Sequence, residues 1–265
     1  MIKQLDCEKY LNNKKQELKE RVFALSQVPE LIILNDEDTE ENKLYLKNKC
    51  KHLNEIGIKT TIINERVQNI RVDTLTPCII QKNKTFKEDI EYLNKKGELF
   101  GLFNIEYVNK DYTKVPTANG IVDMIKTQQK IDFVGEHCVI INRSEIIGIP
   151  LMHRLIQENA AVTIVNRFMQ IDELKMLCKK AKFIFSGTGK AYFIDDSFFN
   201  HSKKLQYCID FGINIINGKL QGDIFTENFN KIKNSLNIYY TPTPKGTALT
   251  TIAKLAENIV EFYEE

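Results

Sequence analysis

The chain has 265 residues, 43% of them hydrophobic, which is enough for two compact domains with real cores and excludes a disordered chain. Lys and Arg number 37 against 35 Asp and Glu, a net charge of +2, so nothing global favours nucleic acid or an acidic membrane as partner. No apolar run is long enough for a membrane span.

The N-terminus MIKQLDCEKYLNNKK has no apolar core of the signal-peptide kind. A polar and apolar face alternate over 6–25, predicting an opening helix. A strand at 31–34, a helix at 40–56, a strand at 59–63, a buried strand at 78–81 and a helix at 86–95 follow. Residues 97–114 carry no clear period and read as a loop or hairpin. A second unit begins near Ile131: strand 138–141, helix 149–158, strand 161–165, helix 172–180, strand 183–185 and strand 206–210. That βαβαβ order is the mononucleotide-binding half of a Rossmann-type domain, and the whole pattern predicts an α/β fold. A short strand at 238–240 leads through two prolines and a glycine into a last helix, 249–263, expected to pack back on the first domain. The division expected is 1–129 with 248–265 as one domain and 130–247 as the dinucleotide-binding one. Cys7, Cys50, Cys78, Cys138, Cys178 and Cys208 are scattered with no CxxC pair, which reads as reduced thiols in a cytoplasm. His52, His137, His153 and His201 make no ligand spacing, so no metal is expected.

Several segments carry chemistry. The loop after strand 138–141 reads NRSEIIGIP, with a single glycine, Gly148, and Pro150 suited to a first helical turn. The second strand of the unit ends in Asn166-Arg167, where Rossmann domains read the ribose 2′ position. No acidic residue stands there. Arg143 and Arg167 are suited to clamp a 2′-phosphate, which predicts NADP over NAD. SGTGK at 186–190 fails as a triphosphate loop, because Ile184 stands at the first glycine position and Ala191 follows the lysine. It reads instead as a tight turn through Gly187 and Gly189, beside the cofactor. On the helix 40–56, Tyr45 and Lys49 lie four apart and share a face. Without other information they read as a core tyrosine and one exposed lysine of a Lys-rich helix.

These segments, in order, resemble a family. NIYYTPTPKGTALTTIAKLAEN (237–258) is similar to the TPVPGGVGPMT closing motif of the methylenetetrahydrofolate dehydrogenases/cyclohydrolases. NRSEIIGIP resembles their GRSxIVGxP loop, with Asn142 for the leading glycine. The turn at 186–190 resembles their A(T/V)GxP turn, Asp210-Phe211-Gly212-Ile213-Asn214 their DVGIN, and Gly222-Asp223-Ile224 their GDV. YLKNKCKHLNEIGI (45–58) resembles their YxxxK helix, and Gln81 the glutamine of VQLP. The resemblance implies two αβα lobes, the second of Rossmann type, with a cleft between them. It implies NADP-dependent oxidation of 5,10-methylenetetrahydrofolate, hydrolysis of the methenyl product to 10-formyltetrahydrofolate, and a homodimer joined through the Rossmann half. Lys49 is then the proton-transfer residue, Gln81 its hydrogen-bond partner, and Tyr45 lines the substrate. Arg143, Ser144, Arg167, Gly187, Gly189 and Ile213 fall on the cofactor side, and Phe100, Pro242 and Gly246 with Tyr45 on the substrate side.

The chain departs from the family pattern at the pterin. Phe100 takes the place of the second Asp of DVDG, and a phenyl ring accepts no hydrogen bond from an amidine-like edge. Lys245, Thr247, Ala248, Leu249 and Thr250 alter the closing loop, Lys82-Asn83 follow Gln81, and VPTANGI (115–121) lacks the Cys and second Pro of PCTPxGI. Two alternatives therefore stand: a relative that binds a folate-like or nucleotide ligand without catalysis, and a dehydrogenase of another small substrate.

Overall fold

The computed structural model describes residues 1–35, 39–63, 78–80, 115–227 and 235–264. The expected helix 86–95, the segment 97–114, Gln81 and Phe100 lie outside the described residues. The chain divides into two compact units: Met1–Tyr10 with Thr117–Thr251, and Leu11–Pro116 with Ile252–Glu265.

The first unit is a six-stranded parallel sheet. Its strands are β1 (Ile2–Gln4), β5 (His137–Ile141), β6 (Ala161–Ile164), β7 (Phe183–Ser186), β8 (Gln206–Asp210) and β11 (Ile238–Tyr240), in the spatial order β1-β11-β8-β7-β5-β6. Helices α4 (Gly148–Gln157) and α5 (Ile171–Lys180) make the crossovers from β5 to β6 and from β6 to β7. Helix α3 (Pro116–Gln129) precedes β5. The middle strands are buried on both faces, as parallel strands must be, and so read as unbroken apolar runs such as HCVII and FIFS. Val139, Ile141, Ile184, Cys208 and Ile238 join Leu174, Cys178 and Phe198 in one core. On neighbouring strands Phe183 stacks with Tyr207 at 5.0 Å and Tyr207 with Tyr239 at 5.4 Å.

Three features of this unit escape the sequence reading. Strand β1 has only three residues and is placed by its parallel pairing with β11, Ile2 opposite Ile238. That pairing groups Met1–Tyr10 with the Rossmann sheet, whereas sequence analysis puts 1–129 in one domain. Helix α3 lies almost wholly in the first unit for the same division. A hairpin of β9 (Asn214–Ile216) and β10 (Lys219–Gln221) turns through Asn217 and Gly218, both at positive φ, the geometry of a tight hairpin turn.

The second unit has a three-stranded parallel sheet, β3-β2-β4, of β2 (Glu30–Leu34), β3 (Lys59–Ile63) and β4 (Cys78–Ile80). Helix α1 (Cys7–Ala24) supplies it from Leu11 onward, and α6 (Thr247–Glu264) from Ile252 onward. Glu257 pairs with Lys14 at 2.6 Å, and the Tyr263 hydroxyl accepts from the Glu30 N–H at 3.1 Å, which fastens the C-terminal helix to this unit.

Between β2 and β3 runs α2 (Glu40–Ile56), and its ends are written in the sequence. Thr39 caps the start, its hydroxyl accepting from the Asn42 N–H at 3.3 Å. At the other end Gly57 sits at φ 105°. Its N–H donates to the Asn54 carbonyl, while the Ile58 N–H donates to that of Leu53, a Schellman ending. A Cβ on Gly57 would also stand 3.1 Å from Val22 Cγ1. Gly57→Ala is therefore expected to lower stability by about 1–3 kcal/mol, measured by urea unfolding; an unchanged midpoint would contradict this reading of the cap.

Candidate active site

On α2 the buried side chains are Asn42, Leu46, Lys49, Leu53 and Ile56, while Lys43, Leu44, Lys47, Asn48 and Lys51 face solvent. The spacing of four, three, four and three is the core stripe of a helix. Lys49 thus occupies a core position and is only 5% exposed. Its ammonium stands over the ring of partly buried Tyr45, 4.8 Å from the centroid. Burial pushes the Lys49 pKa down from 10.5 to about 8, with Cys50 opposing weakly. The ring face also favours the cation, by about 0.5–2 kcal/mol, but desolvation of a fully buried lysine is the larger effect. Burial raises the Tyr45 phenol, so it stays protonated as a donor. One turn further along, Lys15 of α1 lies 2.6 Å from His52 Nδ1 and pairs with Glu55. Burial and this lysine lower the His52 pKa and hold the ring neutral. Asn42 at the other end of α2 donates to Asn35 Oδ1 at 2.5 Å, at the carboxyl end of β2.

The first unit presents a different chemistry. Strand order reverses at β5, which has β6 on one side and β7 on the other. Ligands of open α/β sheets sit outside the carboxyl ends of the strands at such a point. Arg143 and Ser144 follow β5, Arg167 follows β6, Gly187 and Gly189 follow β7, and Ile213 follows β8, so all six expected cofactor residues stand at strand ends on this edge. Asn142 ties two of these loops. Its amide donates to the Gly187 carbonyl at 2.6 Å, and its Oδ1 accepts from the N–H and hydroxyl of Ser144 at 2.8 Å each. A Cβ on Gly148 would lie 2.3 Å from the Asn142 carbonyl, so the helix start must be glycine. Ser144 takes the first helical donors, from Ile147 at 3.2 Å and Ile149 at 2.9 Å. Arg143 and Arg167 are both exposed, and Arg167 lies over the Phe168 ring at 5.1 Å. The residues that follow β6, Val165 to Phe168, include no carboxylate. An uncluttered turn at Gly189, where an added Cβ meets nothing, and two exposed guanidinium groups fit a phosphorylated dinucleotide.

The carboxyl ends of β8 and β11 enclose a carboxylate pair that sequence analysis passes over as parts of motifs. Asp210 accepts from the Gly212 N–H at 2.8 Å and the Ile224 N–H at 2.9 Å. Its main chain is bonded to Thr241 at 2.7 Å and Thr247 at 3.0 Å. Burial first, and Asp223 after it, push its pKa up to about 7 against the pull of those backbone donors. Asp223 accepts from Ser186, Thr188 and Asn214. Pro242 and Gly246 sit in the loop held by these threonines, and a Cβ on Gly246 would fall 2.2 Å from the Pro242 carbonyl. A cavity of 100 Å³ lies against Asp210, Thr241, Thr243 and Glu227. Among the described residues no group of three His, Cys, Asp or Glu side chains could hold a metal.

A parallel sheet with its switch point at β5 and phosphate-ready strand ends defines a Rossmann-type dinucleotide-binding unit. The family described as tetrahydrofolate dehydrogenase/cyclohydrolase, NAD(P)-binding domain, matches residues 115–265. The chain is 29% identical to a bifunctional protein FolD of Malacoplasma penetrans, covering 90% of this chain and 88% of the relative. It is 31% identical to a bifunctional protein FolD of Rickettsia bellii over 98% of both chains. The structure of the FolD methylenetetrahydrofolate dehydrogenase/cyclohydrolase of Campylobacter jejuni superposes with a TM-score of 0.79, at 22% identity, over 100% of this chain and 99% of that one. The chain belongs to the tetrahydrofolate dehydrogenase/cyclohydrolase family, and its first unit is an NAD(P)-binding domain of that family.

The buried amine makes a thermodynamic prediction. Between pH 8 and 10.5 the unfolded lysine keeps its proton while the folded one has lost it. The unfolded chain then binds more protons, so stability gains with rising pH across that window. Lys49→Met, which removes the buried charge at similar volume, is expected to be more stable than the parent at pH 7 by roughly 1–4 kcal/mol. The gap should close towards pH 10 in urea titrations; a gap independent of pH would contradict the burial of a titrating amine.

Proposed function

We propose that this chain oxidises 5,10-methylenetetrahydrofolate with NADP and hydrolyses the methenyl product to 10-formyltetrahydrofolate. The observation that carries the reading is Lys49: an amine on the core stripe of α2, held near pH 8 and stacked on Tyr45. A scaffold without catalysis gains nothing from that placement, because an apolar residue there is cheaper. NADP, when bound, accepts the hydride lost by the methylene carbon. In the hydrolytic step water adds to the methenyl carbon and Lys49 takes its proton. The hydroxyl so formed then loses its proton to solvent as the carbonyl forms, the C–N bond breaks, and Lys49 returns a proton to the departing amine. An amine with pKa near the working pH suits both transfers, and such general acid–base groups contribute about 100- to 10,000-fold. Tyr45, kept protonated, orients the substrate. Gln81 is the proposed partner of Lys49, and Phe100, Pro242 and Gly246 are the proposed substrate residues. Arg143, Ser144, Arg167, Gly187, Gly189 and Ile213 hold the cofactor. Leu11–Pro116 with Ile252–Glu265 is the substrate unit in this reading.

Lys49→Gln is expected to reduce methenyl hydrolysis by about 100-fold or more, followed by loss of methenyl absorbance. In the parent the hydrolytic rate should rise with pH through a midpoint near 8 and level off. A flat profile, or hydrolysis at parental rate in the variant, sinks the assignment of Lys49.

The preference for NADP rests on two exposed guanidinium groups and the missing carboxylate at the end of β6. Arg167→Ala is expected to raise KM for NADP by about 10- to 100-fold with KM for NAD nearly unmoved. Equal effects on both cofactors would overturn the preference.

A homodimer joined through the Rossmann unit is supported by exposed Ile215, Ile216 and Leu220 on the β9–β10 hairpin. Light scattering that gives a single-chain mass at assay concentration would refute it. The cytoplasm as location is supported by the free thiols of Cys7, Cys50, Cys138, Cys178 and Cys208. Among the described residues no helix is long and apolar enough to cross a membrane.

A further inference from the structure

Asp223 is a carboxyl side chain with no exposure at all. Among the described residues no Lys, Arg or His pairs with it. Its oxygens are met instead by neutral donors. Oδ2 accepts from the Ser186 hydroxyl at 2.8 Å, the Thr188 N–H at 2.5 Å and the Thr188 hydroxyl at 2.9 Å. Oδ1 accepts from the Asn214 amide at 3.2 Å. Three of the four donors belong to the last residue of β7 and the turn that follows it, at the strand-order reversal.

The surroundings are shaped for this carboxylate. A Cβ on Gly212 would lie 2.1 Å from Asp223 Oδ1, and one on Gly222 would lie 2.1 Å from Asp210 Oδ2. The two glycines let two buried carboxylates cross over opposing backbone. A Cβ on Gly187 would lie 2.0 Å from the Phe211 ring, so the turn itself sits hard against the residue that follows β8. Thr188, held through both its N–H and its hydroxyl, accepts in turn from the Lys190 N–H at 3.1 Å. The inward donors of 188 and 190 are therefore occupied, and the open side of the turn at Gly189 is set by where Asp223 holds its base. A buried ion held only to shape a loop is costly for a scaffold, whereas placing a cofactor-facing turn within a fraction of an ångström serves alignment of reacting atoms.

We propose that Asp223 is the positioning residue of the cofactor turn Gly187–Gly189: it acts on the dinucleotide through Ser186 and Thr188 and touches no substrate. The inference rests on the reading of this unit as the NADP-binding half of a bifunctional enzyme. That reading has one activity that needs the dinucleotide and one, hydrolysis of the methenyl bridge, that does not. A residue that merely keeps the chain folded would weaken both together.

The test uses the full chain and its Asp223→Ala, Asp223→Asn and Thr188→Val variants. NADPH affinity is read by fluorescence titration, melting by circular dichroism, and methenyl hydrolysis without dinucleotide by absorbance. Asp223→Ala is expected to weaken NADPH by about tenfold or more, with hydrolysis kept within about threefold. Asn, which keeps one acceptor at the Oδ2 position, should restore much of the affinity. Thr188→Val, which removes one donor and keeps the volume, should weaken NADPH by about threefold to tenfold without lowering the melting temperature by more than a few degrees; it carries the test if Asp223→Ala fails to fold. NADPH affinity unchanged in Asp223→Ala or in Thr188→Val, or both activities falling in step, overturns the proposal. A parent chain that binds NADPH but hydrolyses nothing defeats the functional reading while the NADPH affinities still support the positioning role; a parent that binds no NADPH defeats both.

Discussion

An ammonium group taken out of water loses several kilocalories per mole of hydration, and a fold recovers that only by pairing the charge or by giving up the proton. Helix α2 puts Lys49 where a leucine would serve stability better, between Leu46 and Leu53 on the face that packs inward. The proton becomes easy to lose, and the ring face of Tyr45 lies 4.8 Å from the ammonium. A solvent-exposed lysine is a poor base at neutral pH because it is almost wholly protonated. The same side chain one position along, at Asn48, would face water. The catalytic proposal is thus a statement about helical phase, and the firm ends of α2, Thr39 and Gly57, matter because they set that phase.

The Rossmann unit solves a related problem with the opposite charge. Asp210 and Asp223 are buried at the carboxyl ends of the sheet, where four connecting segments converge: 186–188, 210–214, 222–224 and 241–247. Each segment supplies backbone or hydroxyl donors, and the glycines at 212 and 222 supply the room. Short loops carry few apolar contacts of their own, so a shared acceptor is an economical way to give several of them one arrangement. The guanidinium groups of Arg143 and Arg167 stay exposed, as recognition of a phosphate requires.

Much of this fold was legible beforehand. Parallel strands buried on both faces read as short apolar runs, and β2, β7 and β8 fall where those runs predict. Helix α2 matches its expected bounds because both caps are local signals. Strand β1 was not legible: three residues, two of them polar or charged, become a strand only by pairing with β11, more than two hundred positions away. The hairpin at 214–221 was legible in principle from Asn217-Gly218 between isoleucines and leucine. Tyr45 and Lys49 were placed together by their spacing. The burial of Lys49 was also there to be read, in the stripe it shares with Leu46, Leu53 and Ile56. The carboxylate pair was not, since nothing local says that Asp210 and Asp223 will reach across each other's backbone. Asn142 illustrates the same limit: its replacement of a glycine looks like erosion in the sequence, yet its side chain bonds Ser144 and Gly187.

The most direct measurement is the titration of the Lys49 amine itself. Lysine labelled with carbon-13 and nitrogen-15, in the full chain, reports each side-chain amine by nuclear magnetic resonance, and the Lys49→Arg variant assigns the signal by its disappearance. The account predicts one lysine, lost in that variant, titrating with a midpoint of about 8. A Lys49 signal titrating together with the exposed lysines, near the ordinary 10.5, would contradict it.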